Sequence, residues 1–222
     1  SYIDAGAQHQ WNVQVTNNGK REKIWTTEEI YRATIRYRER HKNDRRENCS
    51  VIRIPVANAL QMPESTLPVD PYVYGLWLGN GNTVKPEITI CTRDVESFLK
   101  QVPYEITNAW EQKGGGSWIF RIPALKPILL SNFRQKHIPD EYMCASEEQR
   151  WALLQGLMDS DGCIGARKAQ SVYVSTIKGL ADNVRELLWS LGIKNAMTEE
   201  PSTRYGVPTG ETLYTIRFTT FE

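Results

Sequence analysis

Apolar positions along the chain follow two periods, and the switches between them divide it into segments. From Trp11 to Val15 (WNVQV) apolar and polar residues alternate as in a half-buried strand. Asn17-Asn18-Gly19 has hairpin-turn chemistry, and Lys23 to Trp25 fits a returning strand. Thr26, with Glu29 three residues on, is a capping-box pattern that opens a helix reaching about Arg40. Pro63 and Pro68 mark a linker. The pattern beyond it occurs twice. Asp70 with Pro71, and Ser146 with Gln149, are helix starts. Short alternating segments follow at Glu87 to Cys91 and at Ser171 to Ser175. Thr92 and Thr176 start further helices, with apolar faces at Val95, Phe98, Leu99 and Val102, and at Leu180, Val184, Leu187, Leu188 and Leu191. Two strands close each unit: Tyr104 to Trp110 and Ser117 to Ile122, then Asn195 to Glu199 and Leu213 to Thr219. Copy one adds a helix near Ala124 to Phe133, and the sequence reaches Glu222 before a matching one.

The two helices that open the copies carry the most information. PYVYGLWLGNG (Pro71 to Gly81) and WALLQGLMDSDG (Trp151 to Gly162) align at an offset of 81 residues, pairing Gly75 with Gly156, Gly79 with Ser160 and Gly81 with Gly162. Gly75 and Gly79, like Gly156 and Ser160, lie four apart, so each helix has one smooth face where a second backbone can approach closely. Each helix should stop at its motif glycine. Two helices packed on those faces would bring their polar last residues, Asn80 and Asp161, side by side. Two acids there would hold a divalent cation; here one position is an amide.

Composition narrows the class without naming it. With 40% hydrophobic and 24% charged residues, the 222-residue chain has the make-up of a soluble globular protein, large enough for one large domain or two small ones. No apolar run approaches the roughly 18 residues of a membrane span, and there is no basic-then-apolar leader, so the expectation is an intracellular protein, cytoplasmic or nucleoid-associated. Cys49, Cys91, Cys144 and Cys163 form no paired motif and read as reduced thiols; His9, His41 and His137 are isolated, which argues against zinc. The net charge is only +1, but Arg32, Arg36, Arg38, Arg40, Lys42, Arg45 and Arg46 crowd between Tyr31 and Arg46. That run is either a solvated helix face or a phosphate-contacting arm.

Together these features resemble the LAGLIDADG homing endonucleases in their single-chain, two-repeat form, over roughly residues 70 to 222. LLQGLMDSDG closely fits the second motif; PYVYGLWLGNG fits the first except at its last acid. KHIP (Lys136 to Pro139) resembles the lysine-bearing block of intein-borne members, and AQHQW followed by TTEE looks like the tail of an intein splicing half. The splicing nucleophile and terminal His-Asn are not in this chain, so protein splicing by it is not expected.

The resemblance implies an α+β fold: two pseudo-symmetric αββαββα repeats with antiparallel saddle-shaped sheets, plus a small N-terminal β-hairpin and helix extension. The implied division is 1–69 for the extension, 70–145 for the first repeat and 146–222 for the second. It implies a monomer that cuts a long double-stranded DNA target with Mg2+, for which Mn2+ or Ca2+ could substitute in binding. Implied catalytic positions are Asp161, Asn80 and Lys136, with Gly79 and Ser160 joining Asp161 and Asn80 around the metal, and Gly75, Gly79, Gly156 and Ser160 at the helix interface. Acids at two helix C-termini would favour cations there. Implied DNA contacts are Arg32, Arg36, Arg40, Arg45 and Arg46 on the basic run, and Lys85, Arg121, Arg167, Lys168, Tyr173, Arg204 and Arg217 on the sheets.

Other motifs fail on detail. Asp159-x-Asp161-Gly162 could open a calcium loop, but Cys163 and Gln170 stand where ligands are required. Gly79-x-Gly81 follows a helix rather than a strand, and Lys113-Gly114-Gly115-Gly116 has the wrong order for a phosphate loop. Two functions stay open: an endonuclease impaired at Asn80, or a DNA-binding module on the same scaffold without turnover.

Overall fold

A computed structural model describes residues 5–15, 21–40, 52–55, 57–130, 136–165, 170–204 and 207–219. The chain forms two compact units, Ser1–Ala57 and Asn58–Glu222. In the first, strands β1 (Gln10–Val15), β2 (Arg21–Thr26) and β3 (Ile52–Arg53) form an antiparallel sheet in the order β2-β1-β3. Helix α1 (Thr27–Arg40) follows β2 directly. Its first turn is closed reciprocally: the Thr26 amide donates to Glu29 Oε2 at 2.7 Å, and the Glu29 amide to Thr26 Oγ1 at 3.2 Å. The expected turn at 17–19 lies outside the described residues.

The second unit holds α2 (Pro71–Asn80), β4 (Glu87–Cys91), α3 (Val95–Gln101), β5 (Asn108–Glu111), β6 (Ser117–Arg121), α4 (Lys126–Leu130), α5 (Asp140–Met143), α6 (Glu147–Asp161), β7 (Gly162–Ile164), β8 (Ser171–Ser175), α7 (Lys178–Ser190), β9 (Asn195–Arg204) and β10 (Val207–Phe218). Its two antiparallel sheets have the orders β4-β6-β5 and β7-β8-β10-β9. These orders coincide once a single bridge, Gly81 to Ile88, is set against the three-residue strand β7. The duplication read from the motifs is therefore a duplication of topology, and the fold is α+β with antiparallel sheets. Among the described residues no helix is long and apolar enough to cross a membrane.

Helices α2 and α6 lie at the centre of this unit. Every α2 residue from Tyr72 to Leu78 is buried, as a helix apolar on all sides must be. The Asp70 carboxylate accepts from the Val73 amide at 3.1 Å, and Ser146 with Gln149 completes a capping box on α6. The contact between the helices is backbone on backbone. A Cβ on Gly156 would fall well inside 3.0 Å of Tyr72 O and Leu76 N, and one on Gly75 equally close to Leu153 O and Leu157 N. A Cβ on Gly79 would meet the Ser160 side chain. The helices end as expected at Gly81 and Gly162, by a different route: both glycines are extended (φ −80° and −94°), turning the chain straight into strand. Gly192, just past the end of α7, takes the left-handed conformation instead, with φ 73°.

Two expectations shift. Leu99, placed on the apolar face of α3, is 50% exposed, leaving Phe98 as the buried anchor of that short helix. Residues 58–69 cluster with the second unit rather than the first. The reason is polar: Gln149 Oε1 accepts from the Ser65 amide at 2.9 Å and its Nε2 donates to Ser65 O at 2.7 Å. Fully buried Arg150 donates to Ala145 O at 3.0 Å, to Ser190 O at 2.7 Å and to Leu60 O. No carboxylate is among these partners, and the terminal carbonyl of α7 supplies the opposing partial charge.

The close contact makes a sharp prediction for stability. Gly156→Ala should destabilise by about 3 kcal/mol or more, because backbone must move to admit the methyl group. Gly179→Ala, on α7 with open space around it, should instead stabilise by roughly 0.4–1 kcal/mol. Urea unfolding of both variants checks the pair; a tolerated Gly156→Ala would contradict the contact.

Candidate active site at the paired helix ends

The polar residues that end α2 and α6 are neighbours, as the parallel small-residue faces require. A Cβ on Gly79 would stand 3.1 Å from Asp161 Cγ. Their side chains open differently. Asp161 lines a cavity of about 270 Å³ with Gly79, Lys136 and the apolar walls Leu78, Val174 and Leu213. Asn80 lines a second cavity, about 360 Å³, with Tyr72, Asp94, Ser97, Asp159 and Ser160. The two cavities are related by the duplication: each is lined by residues of both helix ends, with β8 in the first and β4 in the second.

Lys136 is brought to the Asp161 cavity by contacts on either side of it in the chain. Tyr74 on α2 donates its hydroxyl to His137 O at 2.8 Å. Asn183 on α7 accepts the Ile138 amide at 3.0 Å, and the Ile138 side chain is buried. The lysine between these anchors donates Nζ to Gly79 O at 2.8 Å and stands 5.7 Å above the Trp77 ring. Burial lowers the Lys136 ammonium from its usual range, opposed by the Asp161 charge. Burial raises the Asp161 carboxyl, opposed by Lys136. Each charge thus partly offsets the cost of burying the other.

Two of the residues expected around the metal already make hydrogen bonds. Gly79 O accepts the Lys136 ammonium. The Ser160 hydroxyl donates to carbonyls of its own helix, Gly156 O at 3.1 Å and Leu157 O at 2.9 Å. Among the described residues no three of His, Cys, Asp and Glu gather into a metal cage. Asp161 carboxylate and Asn80 amide oxygens are hard donors, and a cation that keeps several waters and takes further oxygens from substrate fits that sparse set.

The expected nucleic-acid contacts divide. Arg36 and Arg40 are exposed on α1, and Arg32 pairs with Glu28 one turn earlier at 2.5 Å. Lys85 is exposed in the turn before β4. Arg121 is half-buried, bonded to Glu87 at 2.6 Å and stacked 5.6 Å over Trp110, which holds the guanidinium in one orientation. Arg217 donates to Thr198 Oγ1 at 2.9 Å. Tyr173 must be corrected: it is fully buried, because β8 is an inner strand covered by α6 and α7 and the alternation there points it to the helices. Burial, with the Asp161 charge nearby, pushes its phenol up. Arg45, Arg46, Arg167, Lys168 and the Arg204 side chain lie outside the described residues.

The Lys136–Asp161 balance predicts a direction. Lys136→Met removes what opposes burial, so the Asp161 carboxyl should move further up. With the folded pKa above the unfolded one, stability is lost as pH rises through the folded value; Lys136→Met should extend that loss to higher pH. Carbon-13 NMR of labelled aspartate, with thermal unfolding across pH 4 to 8, checks both. An Asp161 midpoint that falls or stays fixed would contradict the coupling.

Residues 148–217, from α6 through most of β10, match the family model of the LAGLIDADG-like domain. Over 177 residues the chain is 34% identical to the replicative DNA helicase DnaB of Mycobacterium intracellulare, covering 80% of this chain. The chain spans 28% of the length of that curated relative. Solved structures of the homing endonuclease I-DmoI superpose at a TM-score of 0.45: mesophilic variants at 18% identity, covering 68% of this chain and 89% of theirs, and a complex with DNA and Mn at 15% identity and the same coverage. The helix that ends in Asp161 and the sheet that follows it thus fall within the stretch that matches the LAGLIDADG-like domain.

Proposed function

We propose that the chain is a site-specific double-stranded DNA endonuclease of the homing type, impaired because Asn80 stands where the first repeat needs an acid. The observation that carries this reading is the convergence of Asp161, Lys136 and the Gly79 carbonyl at the end of α6, inside one cavity. That combination suits phosphodiester hydrolysis, where negative charge builds on the phosphate oxygens. Asp161, with Asn80 as a neutral oxygen donor, would hold a divalent cation such as Mg2+, which supplies Lewis-acid stabilisation of that charge and a lowered pKa for the attacking water. Lys136 adds fixed positive charge beside the phosphate. Apolar walls flank it, so its charge acts in a medium less polar than water, where it is worth more.

Binding is assigned to the sheets and the basic helix. The three-stranded and four-stranded faces end to end would cover roughly two turns of duplex, a long target. Arg36 and Arg40 would contact phosphate, and Arg121, fixed by Glu87 and Trp110, would reach a base edge. We read the likeness to 28% of a helicase's length as that of an intein-borne element within a longer protein, acting as a monomer. The alternative, a DNA-binding module without turnover, is favoured by one observation: the amide at Asn80 brings no charge to its cavity.

Replacing that amide separates the two readings. Asn80→Asp keeps the side-chain size, so the packing at Gly75 and Gly79 should survive. Cleavage of both strands should then appear with magnesium or manganese, at a gain on the order of a hundredfold or more over the parent chain. The assay uses a duplex selected by the protein from a random pool, and its binding should weaken steeply between about 50 and 200 mM salt. A variant that folds, binds its selected duplex and leaves it whole would remove the endonuclease reading and leave the binding module.

A further inference from the structure

Tyr173 is fully buried on β8, and its hydroxyl has no hydrogen-bond partner among the described residues. A buried polar group of this kind is rare enough to require a reason. Its position supplies one. Tyr173 sits directly across the ladder from Gly162, the residue that follows Asp161. The duplication provides an internal control. In the first repeat the residue across from Gly81 is Ile88, also fully buried, and the residue before Gly81 is Asn80. The repeat with the acid has the hydroxyl, and the repeat with the amide has a hydrocarbon. A residue needed only to fill the core at this position would carry no hydroxyl, as Ile88 shows.

We propose that Tyr173 is a positioning residue for Asp161, its hydroxyl donating to that carboxylate either directly, once the carboxylate turns from Lys136, or through one internal water. The inference rests on the reading of Asp161 as the acid of the site. Lys136 donates to Gly79 O and acts on Asp161 through its charge, which leaves the orientation of the carboxylate open to a second group. A donor from β8 would fix the second side of the carboxylate and keep it aimed at the gap between the helix ends. It would also ease the cost of keeping a buried acid ionised, since hydrogen bonds to the charged form favour it. Asn80 has no such donor across its ladder, so the two helix ends differ in support as well as in charge.

The test needs neither DNA nor cutting, so its failure would leave the endonuclease reading standing, and a failure of cleavage would leave this one standing. Raman spectra of wild type minus Tyr173→Phe isolate the Fermi doublet of this tyrosine, whose intensity ratio reports hydrogen bonding. A donor signature is expected, and it should be lost when the same difference is taken in an Asp161→Ala background. Thermal unfolding gives the second arm. Tyr173→Phe should lower Tm by about 2–4 °C in the wild-type background and leave it unchanged or raised in Asp161→Ala. A doublet indifferent to Asp161→Ala, or a Tm raised by Tyr173→Phe in the wild-type background, would overturn the proposal. Should Tyr173→Phe fail to fold, wild type minus Asp161→Ala still shows whether the doublet depends on the acid.

Discussion

The second unit depends on one contact, the approach of the α2 and α6 backbones over Gly75, Gly79, Gly156 and Ser160. Ordinary side chains at these places would hold the helices 8–10 Å apart at their axes. With the side chains gone, the polar ends of both helices share one small region, and the sheets that follow start from a common point. The all-round burial of α2 follows from the same contact. A helix with α6 on one side and a sheet on the other has no solvent face, and its sequence from Tyr72 to Leu78 has no charged residue to spare.

The two halves have the same topology and different chemistry. One helix end has Asp161 with Lys136 and, across the ladder, Tyr173; the other has Asn80 and Ile88. A half-buried acid is costly in isolation, and here a cation and a hydroxyl stand near it. A half-buried amide is cheap by comparison and stands without them. Support for the acid is thus gathered at the second helix end, Tyr173 from the stretch that matches the LAGLIDADG-like domain and Lys136 from before it. At the opposite end of α6, Arg150 and Gln149 strap residues 60–65 onto the start of that helix and the end of α7.

Much of this was legible in the sequence, for a physical reason: caps, helix periods and small-residue spacing are local. Asp70, Ser146 with Gln149, and Thr26 with Glu29 make the hydrogen bonds that their spacing implies. Spacing also put Gly75 and Gly156 on one interface. What stayed illegible is set by residues far apart in the chain. The placement of Lys136 depends on Tyr74, whose partner His137 lies 63 residues away, and on Asn183, which belongs to no motif. The burial of Tyr173 depends on β8 being an inner strand covered by helices, where both faces of a short alternating run can be core. The opening of Asn80 and Asp161 into separate cavities depends on the sheet that follows each helix. The claim of Gly79 O by Lys136 could not be read from glycine spacing, which speaks only to where a side chain is forbidden.

The central claim is that the chemical groups are loaded at one of two topologically equivalent positions. Strand-resolved cleavage by the unaltered chain tests it most directly, with each strand of a selected duplex labelled separately and magnesium or manganese present. The account predicts slow product from one strand only, always the same one, with the other strand intact. Equal cleavage of both strands would contradict it.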